Sequence, residues 1–259
     1  VSTDPYEGIA DRYDLFHGEF GQHAPEITAF FRQLFAENRV GRVLDCACGT
    51  GNDLVLFHSL GCEVVGSDLS DAMLAQARGN LAQDGLDLPL HKVDYRHLPA
   101  RFDERFDAVV CLSSSILHMP TEADVLRAFE SMQGALRPGG ILVLTQGTTD
   151  KQWEEKPRFI LAINERDLSR LFVIDYAGQG ATYHVLDIIH TEEEQGFKEW
   201  SVKYPRIYLR DDLERLLMAS GFREVSFFGG YGCEPYDKGA SPRLIAVAFK
   251  PDEEGGGQP

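Results

Sequence analysis

With 259 residues, 43% hydrophobic and 25% charged, the chain suits one α/β domain with an elaboration and can bury a core without disulfide or metal staples. A formal net charge of −16 excludes broad contact with phosphate backbones and disfavours anionic lipid, so neither nucleic acid nor membrane is an expected partner. No apolar run approaches the length of a membrane span and no secretory signal is recognisable, which makes the cytoplasm the expected compartment.

Residues 1–38 read as an N-terminal cover of two helices, one with Ile9, Tyr13 and Phe16, the other with Ile27, Phe30, Phe31, Leu34 and Phe35 at helical spacing. Residues 39–150 alternate short β-branched runs with helical stretches, the pattern of an α/β core. Strands are expected at 42–48, 63–68, 90–94, 106–112 and 141–145. A helix at 52–59 follows the first, Ser70 caps the next helix through Met73 and Ala77, and a third, at about 122–136, is stopped by Arg137-Pro138-Gly139-Gly140. Residues 151–208 change character, with antiparallel strands at 159–163, 170–176, 181–190 and 198–204, and read as an inserted lid. Residues 209–250 complete the core with a helix at 211–220 and strands at 225–228 and 244–249. The acidic, glycine-rich stretch 251–259 reads as a disordered tail.

The chemistry concentrates in residues 43–51, Val-Leu-Asp-Cys-Ala-Cys-Gly-Thr-Gly, where a buried strand runs through small residues into a helix. Small residues let backbone approach a ligand, and the helix N-terminus offers free N–H groups. Gly49 and Gly51 begin a dinucleotide fingerprint, but position 54 is Leu and the fingerprint is incomplete. Asp45, ending the strand, suits a ligand with a positive amino group. Asp68, ending the second strand, can take both hydroxyls of a ribose, with Leu69 and Met73 flanking an adenine and Asp94-Tyr95 accepting from its amino group. Cys46 and Cys48 form a lone C-x-C with no second pair, so they read as small buried thiols and no metal is expected.

Together, residues 43–51, Asp68, Asp94 and the Arg137–Gly140 turn resemble class I S-adenosylmethionine (SAM)-dependent methyltransferases over almost the whole chain. The branch that residues 44–51, 106–112 and His118 resemble most is that of the glycine and glycine/sarcosine N-methyltransferases. The resemblance implies a seven-stranded Rossmann-like sheet with helices on both faces, an N-terminal helical cover and an inserted antiparallel β lid. It also implies SAM as cofactor and a small-molecule methyl acceptor. Asp45, Ala47 and Gly49, beside Gly51, would surround the methionine part of SAM; Asp68 would hold the ribose; Leu69, Met73, Asp94 and Tyr95 would surround the adenine. Leu112 and Ser115 would lie near the sulfonium, while Tyr6, Tyr13 and His23 would close over the cofactor. Tyr204, before Pro205, matches a tyrosine that approaches the substrate. Ser114 and Gly147 stand where that branch has an asparagine and an arginine for the substrate amino acid; without the arginine, glycine is a doubtful acceptor, and Arg158, Arg206 or Arg243 would have to serve instead.

A neutral amine needs no strong base, whereas a hydroxyl acceptor can want one; the candidates are His118, Tyr13 and His17. His118 reads equally as a packed histidine supporting its loop. Ser113, Ser114 and Ser115 have no evident Ser-His-Asp arrangement, which removes a hydrolase. Trp153, Trp200, Tyr204, Tyr208 and Tyr231 suggest an aromatic-lined pocket under the lid. Two other readings remain: a non-catalytic SAM-binding protein, from the missing arginine, and an NAD-dependent oxidoreductase, from Gly49, Gly51 and Asp68 alone. A homo-oligomer in which cover and lid exchange between subunits is compatible with this layout.

Overall fold

The structure is a computed structural model that describes residues 4–16, 18–191 and 195–252. A 3-10 helix at Ala10–Phe16 and α1 (Pro25–Glu37) precede an alternation of β1 (Arg42–Asp45), α2 (Asn52–Ser59), β2 (Glu63–Asp68), α3 (Asp71–Gln83), β3 (Leu90–Lys92), β4 (Phe106–Cys111), α4 (Glu122–Ala135) and β5 (Leu136–Gln146). Then come α5 (Asp150–Glu155), β6 (Phe159–Asn164), β7 (Leu168–Ala177), β8 (Gly180–His190), β9 (Gln195–Tyr204), α6 (Arg210–Ala219), β10 (Glu224–Phe228) and β11 (Leu244–Phe249). Seven strands form one sheet in the order β10-β11-β5-β4-β1-β2-β3, in which β11 runs against its neighbours. β6 to β9 form a separate antiparallel meander.

Strands buried on both faces read as near-continuous apolar runs, and β1, β4 and β11 are of this kind. Alternate residues feed two cores. Leu44, Val109, Leu142 and Ala246 pack with α4 and α6 on one side; Val43, Ala108, Val143 and Val247 pack with α1, α2 and α3 on the other. Beyond Asp45 the chain leaves the sheet, and Cys46 packs in the first core while Cys48 packs in the second, so the two thiols do not face a common point. Ser70 Oγ accepts from the Met73 N–H and Thr121 Oγ1 from the Asp124 N–H, each capping its helix.

Four expectations need correction. The first strand stops at Asp45, because the chain turns out of the sheet over Cys46 and Ala47. The first expected helix is only the 3-10 turn Ala10–Phe16, its Arg12 and Asp14 side chains held by the lid and core rather than by its own axis. Arg137–Gly140 lies inside β5: Leu136 is already extended and buried, Lys250 Nζ caps the Gln133 and Leu136 carbonyls, and Gly139 supplies a φ of +67°. The inserted segment opens with α5, capped by Thr149, before its first strand.

The spacing between β2 and its neighbours rests on Gly66, where a Cβ would sit 2.7 Å from Leu90 and 2.8 Å from Leu54. Gly66→Ala is expected to cost about 1–3 kcal/mol in urea unfolding through overpacking; an unchanged midpoint would show slack at this contact.

Candidate active site

Parallel strands deliver their C-terminal ends to one edge of the sheet, and ligands of open α/β sheets bind outside that edge. Here the turn after β1 is fastened to β2: the Cys48 N–H donates to the Ser67 carbonyl at 2.9 Å and the Gly49 N–H to Asp68 Oδ2 at 2.9 Å. Gly49 and Gly51 carry φ of +53° and +89°, conformations that a side chain disfavours, and Gly51 thereby starts α2. Asp68 Oδ1 also accepts from the Ser70 N–H at 2.9 Å. Burial raises the Asp68 pKa, and the N–H donors from Ser70 and Gly49 pull against that rise.

A cavity of about 720 Å³ opens over this turn, lined by Ala47, Gly49, Asp68, Leu69, Met73, Asp94, Tyr95, Ser115, His118, Tyr6 and Tyr13. Asp94 is not a bare acid there. Its two oxygens are held by Arg96 at 2.6–3.1 Å, and although burial raises its pKa, the guanidinium brings it below the ordinary value. Arg96, which also lines the cavity, was not singled out from the sequence; a cation two residues after a turn carboxylate was the available signal. The Tyr95 hydroxyl donates to the Ser115 carbonyl at 3.0 Å and so ties β3's exit to the loop after β4.

The N-terminal segment is strapped across this opening. Ser70 Oγ donates to Asp4 at 2.6 Å, the Trp200 indole N–H donates to the Pro5 carbonyl at 2.7 Å, and Asp14 accepts from Thr50 and Asn80. Arg12 reaches Asp187 at 3.1 Å, which is itself bound twice by Arg170 at 2.6 and 2.9 Å. Arg170 and Asp187 face each other directly across β7 and β8, and both are buried, so this clasp joins lid and cover in a dry setting. Inward-pointing opposite charges in an otherwise apolar alternation were its sequence signal.

Under the strap, four rings meet. The Tyr6 hydroxyl and His118 Nε2 are 2.6 Å apart; Tyr6 stands edge-on to Tyr13 at 5.8 Å, and His118 edge-on to Tyr204 at 5.2 Å. Burial brings the His118 pKa down to about 4, so its ring is neutral and shares one hydrogen bond with the Tyr6 hydroxyl through Nε2. Burial pushes Tyr6, Tyr13 and Tyr204 above the ordinary phenol value, with Tyr204 raising Tyr6 and Asp68 raising Tyr13 further, so all three remain neutral hydroxyls.

Tyr6 and Tyr13 also line a second cavity, of about 800 Å³, beneath the lid, with Leu112, Ser114, His23 and Tyr204 in its wall. His23 therefore faces this side rather than the first cavity; its Nε2 lies 2.8 Å from Asp53 and 3.1 Å from Asn52. Ser113 and Ser114 both have positive φ, and Ser114 Oγ accepts from the Gly147 N–H at 3.1 Å. Asp45 and Gly51 line neither cavity: Asp45 is buried behind the wall and accepts from the Ala47 N–H at 3.1 Å. Of the three alternative arginines, Arg158 pairs with Asp175 and Arg206 with Glu122, while Arg243 lines the second cavity, its guanidinium 5.3 Å from the Tyr231 ring centre. Trp200, Tyr204 and Tyr231 are in that wall, but Tyr208 is buried in the main core and Trp153 packs on Tyr176. His17 lies outside the described residues.

Residues 43–140 match the methyltransferase domain family. The chain is 33% identical over 198 residues to YqeM of Bacillus subtilis (strain 168), a protein whose name is that of a methyltransferase, covering 76% of this chain and 74% of YqeM. It is 29% identical to the glycine/sarcosine N-methyltransferase of Halorhodospira halochloris, over 88% of this chain and 83% of that enzyme. The crystal structure of a S-adenosylmethionine-dependent methyltransferase from Clostridium acetobutylicum ATCC 824 superposes with a TM-score of 0.79 at 18% identity, over 95% and 99% of the two chains. This chain belongs to the class I SAM-dependent methyltransferases, and it is an enzyme of that kind. Leu54, packed against Gly51 and Gly66 where a dinucleotide fingerprint has glycine, is consistent with that assignment and not with an NAD site.

The neutral burial of His118 has a pH signature. Protons bind the unfolded ring from about pH 6.5 downward but the folded ring only near 4, so this residue makes stability fall as pH drops through that window, by up to about 1.4 kcal/mol per pH unit. The difference in unfolding free energy between wild type and His118→Phe is expected to shrink from pH 6.5 to 4; a difference constant across the window would show that the ring is not buried neutral.

Proposed function

We propose that this methyltransferase transfers the methyl group of SAM to an amine nitrogen of a small molecule, with the cofactor's adenosine part in the first cavity, the acceptor in the second, and the transfer at the Tyr6–Tyr13–His118–Tyr204 cluster between them. The observation that carries this reading is the shared wall: Tyr6 and Tyr13 belong to both cavities. The first cavity suits the cofactor in size and in hydrogen-bond acceptors. Asp68 presents a buried carboxylate beside Gly49, where even an added Cβ would meet nothing nearer than Tyr13 at 3.8 Å. In this reading Asp68 holds the ribose. Leu69, Met73 and Tyr95 flank the adenine, whose amino edge meets the Asp94–Arg96 pair; Ala47, Gly49, Leu112 and Ser115 border the methionine and sulfonium region. His23, in the wall of the second cavity, takes the far end of the methionine part.

Bound SAM supplies a methyl already made electrophilic by its sulfonium, so the protein's tasks are alignment and exclusion of water. The strap and lid close the cluster from solvent. His118 Nε2 is occupied by the Tyr6 hydroxyl, and a ring that protonates only near pH 4 is a weak base. This favours an acceptor that brings its own lone pair, a neutral amine, over a hydroxyl that must lose a proton first. His118 then acts by positioning Tyr6, while the neutral hydroxyls of Tyr13 and Tyr204 can accept from amine N–H groups and turn the lone pair toward the methyl. The name of the Halorhodospira relative, an N-methyltransferase, supports the same nitrogen chemistry. Among the described residues no helix is long and apolar enough to cross a membrane, and Cys46, Cys48, Cys62 and Cys111 are free buried thiols, which suits a reducing, cytoplasmic setting.

Calorimetric titration with SAM and its demethylated product tests the cofactor assignment, and Asp68→Ala is expected to weaken both by at least about 30-fold, the loss of about 2 kcal/mol of paired hydrogen bonds to a carboxylate. Mass spectrometry over a panel of amines, phenols and carboxylic acids then tests the acceptor. Turnover confined to amines is expected; transfer to phenols alone would overturn the nitrogen assignment.

A further inference from the structure

We infer that binding of SAM is coupled to the uptake of one proton at His23, whose imidazolium then stands between Asp53 and the carboxylate of the cofactor's methionine part. This rests on the reading that the methionine end of SAM reaches His23. It starts from a conflict at one nitrogen. His23 Nε2 lies 2.8 Å from Asp53 Oδ1 and 3.1 Å from Asn52 Nδ2. The Asn52 amide is held in one orientation, because the Gly21 N–H donates to its Oδ1 at 2.7 Å and leaves Nδ2, a donor, toward the ring. Nε2 cannot donate to Asp53 and accept from Asn52 at once. Without a proton, its lone pair would lie 2.8 Å from a carboxylate oxygen; with one, it makes a charge-assisted bond there. Nε2 therefore carries the proton.

The other nitrogen is what the ring has left to offer a ligand. Nδ1 is buried and has no hydrogen-bond partner among the described residues, on a side chain only 6% exposed in the wall of the second cavity. In the neutral ring Nδ1 is a bare lone pair. A carboxylate brought against it meets repulsion in a site with little water, and the buried nitrogen stays unmet. A second proton removes both costs. Nδ1–H then donates to the arriving carboxylate, Nε2–H keeps Asp53, and a positive ring lies between two negative groups. Histidine is the side chain able to make this change near neutral pH. The surrounding groups leave that task to it. Asp84 of the α3 C-cap stands near Gly21, Tyr13 and Tyr231 are wall phenols, and Glu155 of α5 adds negative charge. Lys151 and Arg243 are the cations of the same wall, yet among the described residues the ion-pair partner of Asp53 is His23.

The test is calorimetric titration of the full chain with the demethylated product of SAM, which keeps the amino acid end. Binding enthalpies measured in phosphate and in Tris, buffers of different ionisation enthalpy, give the number of protons taken up. At about pH 8, where free histidine is mostly neutral, wild type is expected to take up about one proton more than His23→Gln. Because the bound form holds the proton, affinity falls as pH rises. The wild-type dissociation constant is expected to increase by up to about 10-fold per pH unit above neutrality, a slope that His23→Gln lacks. The thioether nucleoside without the amino acid part is expected to bind wild type with no proton uptake. Asp53→Asn keeps the ring but removes the carboxylate behind it, and is expected to lower the count toward that of His23→Gln; it replaces that variant if circular dichroism shows His23→Gln unfolded. Equal proton counts in wild type and variant would overturn the inference while leaving SAM binding intact. Failure of both SAM and its product to bind would instead overturn the cofactor reading beneath it.

Discussion

The hydrogen bond from the Gly49 N–H to the Asp68 carboxylate is the fixture around which the site is arranged. It joins the turn after β1 to the end of β2, the strand beside it, and so sets the floor of the first cavity at the place where parallel strands release their chain. Glycines with positive φ make the turn tight enough for that bond, and Ser70 takes over the capping of α3, which leaves Asp68 facing the cavity. Everything laid over the floor, from the Tyr95–Ser115 link to the strap of residues 4–16, takes its position from this edge.

The cover works by desolvation. Tyr6, Tyr13, Tyr204 and His118 are all held neutral by burial, and a cluster of neutral polar groups with its main hydrogen bond already made has little reorganisation left to do. A second set of buried charges, the Arg12–Asp187–Arg170 clasp, joins cover to lid through one carboxylate shared by two guanidinium groups. Removing one partner of such a clasp would leave an uncompensated charge in a dry place, so lid and cover are coupled more firmly than their small contact suggests.

The lid sheet turns one side toward the second cavity and leaves Phe159, Leu161, Ile188 and Phe197 exposed on the other. Its four strands come from one contiguous insertion, and its inner side chains, Trp200 and Tyr204 among them, reach the strap and His118. In the proposed reading, acceptor choice falls to the residues that line the second cavity from β6 to β9, from the loop of Ser113 and Ser114, and from Arg243.

The sequence by itself determined the α/β core, the sheet's parallel strands, the small-residue turn, the Ser70 cap and the Asp68 position, because each is written in neighbouring residues: apolar runs, glycines at a fixed offset, a hydroxyl before a helix. What only the tertiary structure decided are the pairings between distant segments. Asp94 stands alone in the sequence, and the fold sets Arg96 on it; that Asp45 is buried and lines neither cavity is likewise decided by packing. His23 and Leu112 fell on the lid side of Tyr6 and Tyr13 rather than with Asp68. His118 met Tyr6 across 112 residues, and Arg12 met Asp187 across 175. Local pattern fixes which side of a strand or helix a residue occupies, whereas which other surface meets that side, and so the burial that sets its charge, is fixed only when the layers pack.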